Sequence, residues 1–349
     1  MGRRRKTRQS APAEPLRMAP RAGGDFRHAP IMVSEILEIL EPRAGGVYAD
    51  VTLGGGGHAR AVLERSSPDG RLLAVDRDPA ALRNAEIVLA RYRSRVDLFH
   101  GVFTALPRFL AETGRSGVDG IVADLGLSLY QLEGSGRGFS LRRDEPLDMR
   151  MNPEDGPTAA DLVNELGVDE LSALFRDLGE ERFARRIAKA LVRRRGACPV
   201  QTSEQLARIV AEAVPAGRER IHPATRVFMA LRIAVNRELE LLEEFMEGAP
   251  DMLLPGGRVC VLTFHSLEDR IVKHRIRDAS RACVCPSAFP VCTCGGRAAL
   301  RNLTPRVLRP DAAEIARNPM ARSAKLRAAE KRPIPESIGP EAEDLEPSR

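Results

Sequence analysis

The sequence predicts an α/β fold: a parallel sheet with helices on both faces, interrupted by an all-helical insertion. Three observations predict it. Strand-like apolar runs alternate with helical periodicity over the first part of the 349-residue chain. From about 133 to 221 the alternation stops, and only amphipathic helical patterns occur. A strand-like run at 257–264 then resumes the sheet pattern. Strand, helix, strand at this spacing is the signature of parallel pairing with right-handed crossovers.

The strand-like runs are GVYADV (46–51), GRLLAVD (70–76), RVDLF (95–99), VDGIVAD (118–124) and GRVCVLTF (257–264), each with turn residues at its edges. AALRNAEIVLARY and FTALPRFLAETG supply helical periodicity between them. In the insertion, DELSALFRDLG, ERFARRIAKALVRR and SEQLARIVAEAV are amphipathic, and the last is opened by TSEQ, an N-cap region with acid in the first turn. HPATRVFMALRIAVNRELELLEEF reads as one long helix opened by proline. NLTPRVLRP and RSAKLRAAEK predict a hairpin at the sheet edge. The expected organisation is a basic disordered tail (1–26), a first sheet part (27–132), the helical insertion (133–221), a second sheet part (222–332) and an acidic disordered tail (333–349).

With 43% apolar and 29% charged residues, the chain has ample material for a large core. No apolar run reaches membrane-spanning length, and no apolar stretch follows the basic start, which argues against a secretory signal and for the cytosol. The net charge is +6, but residues 1–24 hold seven basic side chains against one glutamate, and 333–349 hold five acids against one arginine. Four of the six cysteines form C-x-C-x6-C-x-C (Cys283, Cys285, Cys292, Cys294). Four thiolates suit structural zinc, but the C-x-C spacing is unusual for it, so a reduced loop without metal is the preferred reading.

The stretch DVTLGGGGHARAV (50–62) puts four glycines between the first strand and a helix, where ligands bind in open parallel sheets. A P-loop is excluded, because Gly-Lys-Ser/Thr is absent. A dinucleotide is permitted: Gly54, Gly56 and Ala59 satisfy G-x-G-x-x-A, and Asp76 ends the second strand. S-adenosylmethionine needs the same turn and ribose acid but brings a cationic sulfonium. Asp50, Asp76 and Asp124 all fall at strand ends and are expected at one mouth. A pyrophosphate about 4 Å from an extra carboxylate suffers roughly 4 kcal/mol of repulsion at an effective dielectric near 20. A sulfonium is attracted instead, so S-adenosylmethionine is preferred.

Eight collinear blocks carry a resemblance: HAPIM (28–32), DVTLGGGGH (50–58), RGFS (137–140), PLDMRM (146–151), GEERFARRIAKAL (179–191), HPATRVFMALRIAVN (222–236), FHSLEDRIVK (264–273) and NPMARSAKLRAAEK (318–331). From about 27 to 332 the chain resembles the bacterial MraW family of ribosomal RNA small subunit methyltransferases. The resemblance implies a class I S-adenosylmethionine-dependent methyltransferase (Rossmann-like) sheet. It also implies methylation of the exocyclic N4 of a decoding-centre cytosine in 16S rRNA, with the small ribosomal subunit as partner and no membrane. It implies cofactor contacts at Gly56, Gly57, His58, Asp76, Phe103, Asp124 and Gln131. Asp76 would bind the ribose hydroxyls and Phe103 would lie beside the adenine, while Asp78 more simply caps the helix that Pro79 opens. Where the family commonly reads D-L-G-V-S-S-x-Q-L-D, this chain reads DLGLSLYQLE (124–133), so Leu129 and Tyr130 depart from the pattern.

The cytosine amine is a poor nucleophile. A transfer enzyme must align it with the methyl group and accept an N–H hydrogen bond. Asp124 is the first candidate acceptor and Asp148 the second; no Asp/Asn-Pro-Pro-Tyr tetrad is present. His265, directly after the fifth strand, is a candidate for holding cytosine or phosphate, with Ser266 and Asp269 in capping-box-like spacing. The base must be flipped out. With no Trp and three Tyr, recognition should lean on phosphates. Arg182, Arg186, Lys189 and Arg193 share one helical face, opposite Phe183, Ile187, Ala190 and Leu191, and make the expected RNA footprint, with Glu180 and Glu181 in the first turn. The rival readings are an NAD-dependent oxidoreductase and a non-catalytic RNA-binding assembly factor. Nothing in the sequence decides between a monomer and a homodimer.

Overall fold

A computed structural model describes residues 30–215, 222–281 and 298–333. Its seven-stranded sheet comprises β1 (Val47–Asp50), β2 (Arg71–Asp76), β3 (Val96–His100), β4 (Val118–Asp124), β5 (Leu253–Thr263), β6 (Leu300–Asn302) and β7 (Lys325–Lys331), in the order β3-β2-β1-β4-β5-β7-β6. The first five strands run parallel, and β7 is antiparallel to β5. This is the Rossmann-like class I methyltransferase sheet expected from the sequence. Its order reverses between β1 and β4, which opens a crevice at their carboxyl ends.

The strands read as unbroken apolar runs because both faces are covered. Alternate residues serve different cores. Leu73, Val75, Val259 and Val261 join Phe109 and Phe245 on one face, while Leu72, Ala74, Cys260 and Leu262 join Ile36, Tyr48 and Leu63 on the other. No helix among the described residues is long and apolar enough to cross a membrane.

The insertion has its own core around Phe175, Ile187, Leu191, Leu206 and Val210. Two boundaries differ from expectation. The single long helix is two, Thr225–Asn236 and Glu238–Met252, broken at Arg237, which sits at φ 50°. The first of them, expected with the second sheet part, buries Val227, Phe228 and Leu231 in the helical core. The break follows from Asn236, whose amide leaves the helix line. It accepts from the Met151 N–H at 2.8 Å and donates to the Met149 carbonyl at 2.7 Å. At the other edge β6 pairs antiparallel with β7. The hairpin therefore forms, but its first strand lies at Leu300–Asn302, and of the following segment only Leu308 bridges to Leu326. The expected basic tail, the expected acidic tail beyond Pro333 and the four clustered cysteines lie outside the described residues.

Candidate functional site

The glycine turn leaves the end of β1 and enters the helix Gly57–Arg65. Its four glycines answer to different constraints. Gly54 and Gly56 sit at φ 49° and 75°, a left-handed region costly for other residues. Gly57 has ordinary backbone, but a Cβ there would lie 2.7 Å from the Pro30 ring. At Gly55 a Cβ would meet nothing within 4 Å, because this residue faces a cavity. That cavity, about 560 Å³, lies over the carboxyl ends of β1, β2 and β4.

Asp76 and Asp124 line it. Asp76 is fixed by two backbone donors, Gly54 N–H and Asp78 N–H, each at 2.8 Å. Burial raises its pKa to about 6 despite both bonds. Asp124 is pushed further, to about 7, by burial and then by the nearby Glu268 carboxylate. Its Oδ1 is buried and has no hydrogen-bond partner. An isolated buried acceptor of this kind is costly unless a ligand satisfies it. Asp50 departs from expectation. It is 2% exposed and is not among the lining residues, so it sits behind the turn rather than at the mouth. Its pKa is also raised to about 6, by burial that the facing His58 partly offsets.

His58 neither caps the helix nor stands free. Its buried ring spans from the Ile31 carbonyl, 2.9 Å from Nε2, to Asp124 Oδ2, 3.6 Å from Nδ1. Burial lowers its pKa. A carbonyl can only accept, so Nε2 carries the hydrogen and Nδ1 turns its lone pair toward Asp124. Gln131 lines the cavity, but its amide is already engaged. Its Oε1 accepts from Ser128 N–H at 3.0 Å in a capping box, and its Nε2 donates to Asp78 Oδ2 at 3.0 Å. Asp78 caps Pro79–Val88 through Ala80 N–H, as expected, and also receives Arg137 at 2.5 Å. Phe103 lines the cavity and meets Phe245 edge-on, with ring centroids 5.3 Å apart. Gly57, His58, Asp76, Phe103, Asp124 and Gln131 thus converge on one cavity. Gly56 shapes the turn without lining it.

Two candidates are not brought there. Asp148 is not among the lining residues, and its carboxylate is spent on Arg150, at 2.9 Å from Nε and 2.8 Å from Nη2. His265 is also not a lining residue; its Nε2 lies 3.0 Å from Glu268 Oε1. His265 rather than Ser266 is the N-cap of Ser266–Ala279, and Glu268 rather than Asp269 accepts the Phe264 and His265 N–H groups. Ser266 donates to Glu180, and Asp269 holds Arg327 and Lys325.

Sequence reasoning missed Arg232, Glu238, Glu268 and Met320, all lining. Arg232 clamps Glu238 with two bonds of 2.8 Å across the helix break, a pairing with no sequence spacing to announce it. Glu238, His265 and Glu268 are the one group among the described residues close enough to share a cation. Arg232 already supplies the positive charge there.

The basic helix spans Ala184–Arg195 and buries Ile187 and Leu191 as expected. Arg186, Lys189 and Arg193 line a groove with Arg185 and Glu212. Arg182 precedes the helix and lies over the Phe183 ring. Glu180 and Glu181 precede it too, so they are not in its first turn. Glu181 is buried, 3.7 Å from Arg226. Arg195 is removed from the cationic end, because it donates to the Val163 and Leu166 carbonyls at 2.6 Å.

Residues 25–332 match the model of the MraW methylase family. Ribosomal RNA small subunit methyltransferase H of Desulfosudis oleivorans is 52% identical over 309 residues, covering 88% of this chain and 99% of that protein. The protein of the same name from Geobacter sulfurreducens is 53% identical over 308 residues, with 88% and 99% covered. Among solved structures, an S-adenosylmethionine-dependent O-methyltransferase from Thermotoga maritima is 10% identical, with a TM-score of 0.37 over 87% of this chain and 66% of that one.

Proposed function

The chain belongs to the MraW methylase family, and from that premise we propose that it methylates the exocyclic N4 of a decoding-centre cytosine in 16S rRNA, in the cytoplasm. Its cofactor is S-adenosylmethionine. The residues fit that group: the open space at Gly55, the lining carboxyls Asp76, Asp124 and Glu268 beyond the Glu238 that Arg232 pairs, and the unpartnered Asp124 oxygen suit a cationic ligand and oppose a pyrophosphate. The observation that carries the reading is the convergence of Gly57, His58, Asp76, Phe103, Asp124 and Gln131, distant in sequence, on one cavity.

When bound, the cofactor supplies an electrophilic methyl group on a sulfonium. The chain supplies position and proton handling. Gly55 leaves backbone amides open to the methionine part, Asp76 is aimed by Gly54 and Asp78 to accept from the ribose, and Phe103 offers a flat apolar face to adenine. Asp124 is the acceptor assigned to the cytosine amine. Oδ1 is the buried oxygen without a partner, and a pKa near 7 lets it take a proton at neutral pH. His58 Nδ1, with its lone pair toward Oδ2, favours the protonated carboxyl that results. Arg186, Lys189 and Arg193 hold phosphates of the RNA.

The test is incubation of the protein with labelled S-adenosylmethionine and undermethylated small subunits, followed by nucleoside mapping. Label on N4-methylated cytidine in 16S rRNA is expected. Binding of the cofactor with no label in rRNA overturns the reading in favour of a non-catalytic assembly factor.

A further inference from the structure

The connection between β6 and β7, residues 303–324, reaches the cavity wall at Met320 and Ser323. It carries the helix Ala312–Arg317 and a 3-10 turn, Pro319–Ser323. Met320 and Ser323 line the cavity, and Ala321 and Ala324 are fully buried beneath them. Glu314 Oε1 accepts the Met32 N–H at 2.8 Å, which pins the strap to the cavity wall formed by Pro30 and Ile31.

The charges on this strap are unevenly committed. Its two acids are both spent on backbone: Asp311 caps through the Glu314 N–H, and Glu314 holds Met32. Its four arginines, 306, 309, 317 and 322, are exposed and have no partner among the described residues. Elsewhere on the sheet domain most arginines are paired, as Arg43 with Asp119, Arg71 with Asp97 and Arg258 with Glu330. Arg322 stands between the two cavity-lining residues. Arg317 ends the short helix, where its charge suits the helix dipole and leaves the guanidinium free. Two of the three exposed large apolar side chains among the described residues, Leu308 and Met320, are on the same strap. Unpaired guanidinium groups with exposed apolar side chains, at the rim of a cavity that must admit a base, suit an unstacked polynucleotide strand.

We propose that residues 303–324 form a second RNA-contact surface, in which Arg317 and Arg322 hold the phosphates flanking the nucleotide that enters the cavity. The groove on the insertion would then bind the RNA at a distance, and the strap would deliver the target. This rests on the reading above, in which the substrate is RNA.

The experiment compares full-length protein with an Arg317→Gln/Arg322→Gln variant and a control variant, Arg65→Gln/Arg93→Gln. The control residues are also exposed and unpaired but lie before the starts of β2 and β3, at the opposite end of the sheet from the cavity. Affinity for an unstructured RNA dodecamer is measured against salt, S-adenosylmethionine affinity by calorimetry, and KM on undermethylated small subunits. The strap variant should weaken RNA binding roughly tenfold and flatten the slope of log K against log salt by about 1.4, the release expected of two single-strand phosphate contacts. Its KM should rise while cofactor affinity stays unchanged, and the control should match the parent protein. An unchanged slope in the strap variant, or an equal loss in the control, overturns the proposal. If the parent protein labels no rRNA but the strap variant still loses the slope, the assigned reaction fails and the strap surface stands.

Discussion

Asp124 is the residue on which the proposed reaction turns, as a cavity-lining carboxyl with one buried oxygen left without a partner. Burial and the Glu268 carboxylate hold its pKa near 7, well above an ordinary aspartate, so the free protein holds a proton there that the unfolded chain would release. The sign follows from linkage. A carboxyl raised on folding favours the folded state at low pH, and that contribution is lost as pH climbs from about 4 to about 7. A bound cation acts in the opposite sense, because it favours the carboxylate. We therefore expect S-adenosylmethionine affinity to rise about tenfold between pH 6 and pH 8, as one group of pKa near 7 gives up its proton. Asp124→Asn should flatten that profile, lower affinity at pH 8 at least tenfold, and abolish methyl transfer. Calorimetry across pH reads the first two and single-turnover labelling the third. A profile unchanged in the variant would assign the titration to Asp50 or Asp76, which are raised less.

At the scale of elements, the glycine turn separates two demands that a run of identical letters conceals. Gly57 is required by the protein itself. An alanine there puts Cβ 2.7 Å from Pro30, so the wall of the cavity must move, and we expect Gly57→Ala to destabilise the free protein by about 1–3 kcal/mol in urea unfolding. Gly55 is under no such demand from the protein itself. Its alanine meets nothing within 4 Å, so Gly55→Ala should leave free stability within about 1 kcal/mol of the parent, yet weaken S-adenosylmethionine at least tenfold. Normal cofactor affinity in Gly55→Ala would show that the turn does not contact the ligand. The same contrast marks what the sequence could disclose. The five parallel strands were legible because burial on both faces writes them as continuous apolar runs, and Asp76 and Asp124 were legible because they end such runs. The break at Arg237 was not, since nothing local in RIAVNRELE forbids a continuous helix and its cause is an amide bonded to residues 149 and 151. Asp148 misled for a related reason. A carboxylate in a conspicuous motif looks available until Arg150, two residues on, is seen to fold back over it. His265 was read correctly as following β5, but its ring lies beside Glu268, 3.0 Å from Nε2, and not in the cavity wall.

The whole molecule is a sheet with two covered faces and a helical body, and the proposed reaction requires that the basic groove on one be held against the cavity on the other. Asn236 is the joint. Its side chain, 1% exposed, holds Met149 and Met151, which belong to the core of the helical body. Its carbonyl receives Arg77 at 2.8 Å, directly after the cavity-lining Asp76. Met151, Arg77 and Arg232, whose carbonyl also accepts from the Asn236 amide at 2.9 Å, all line the cavity. Removing the side chain leaves the Met151 N–H and the Met149 carbonyl buried without partners, at about 1–3 kcal/mol each. Asn236→Ala should therefore lower unfolding free energy by roughly 2–4 kcal/mol, a loss set by the two stranded groups rather than by the small cavity left behind. Asn236→Asp restores the acceptor for Met151 but not the donor for Met149, and should recover only part of the loss. The decisive readout is functional. If the Asn236 side chain couples the two bodies by fixing the helix end whose backbone carbonyl Arg77 binds, the alanine variant should raise KM for small subunits and weaken S-adenosylmethionine together at a temperature where it is still folded. A variant that loses stability but keeps both affinities would show that the sheet and the helical body hold their relation through their packed cores alone.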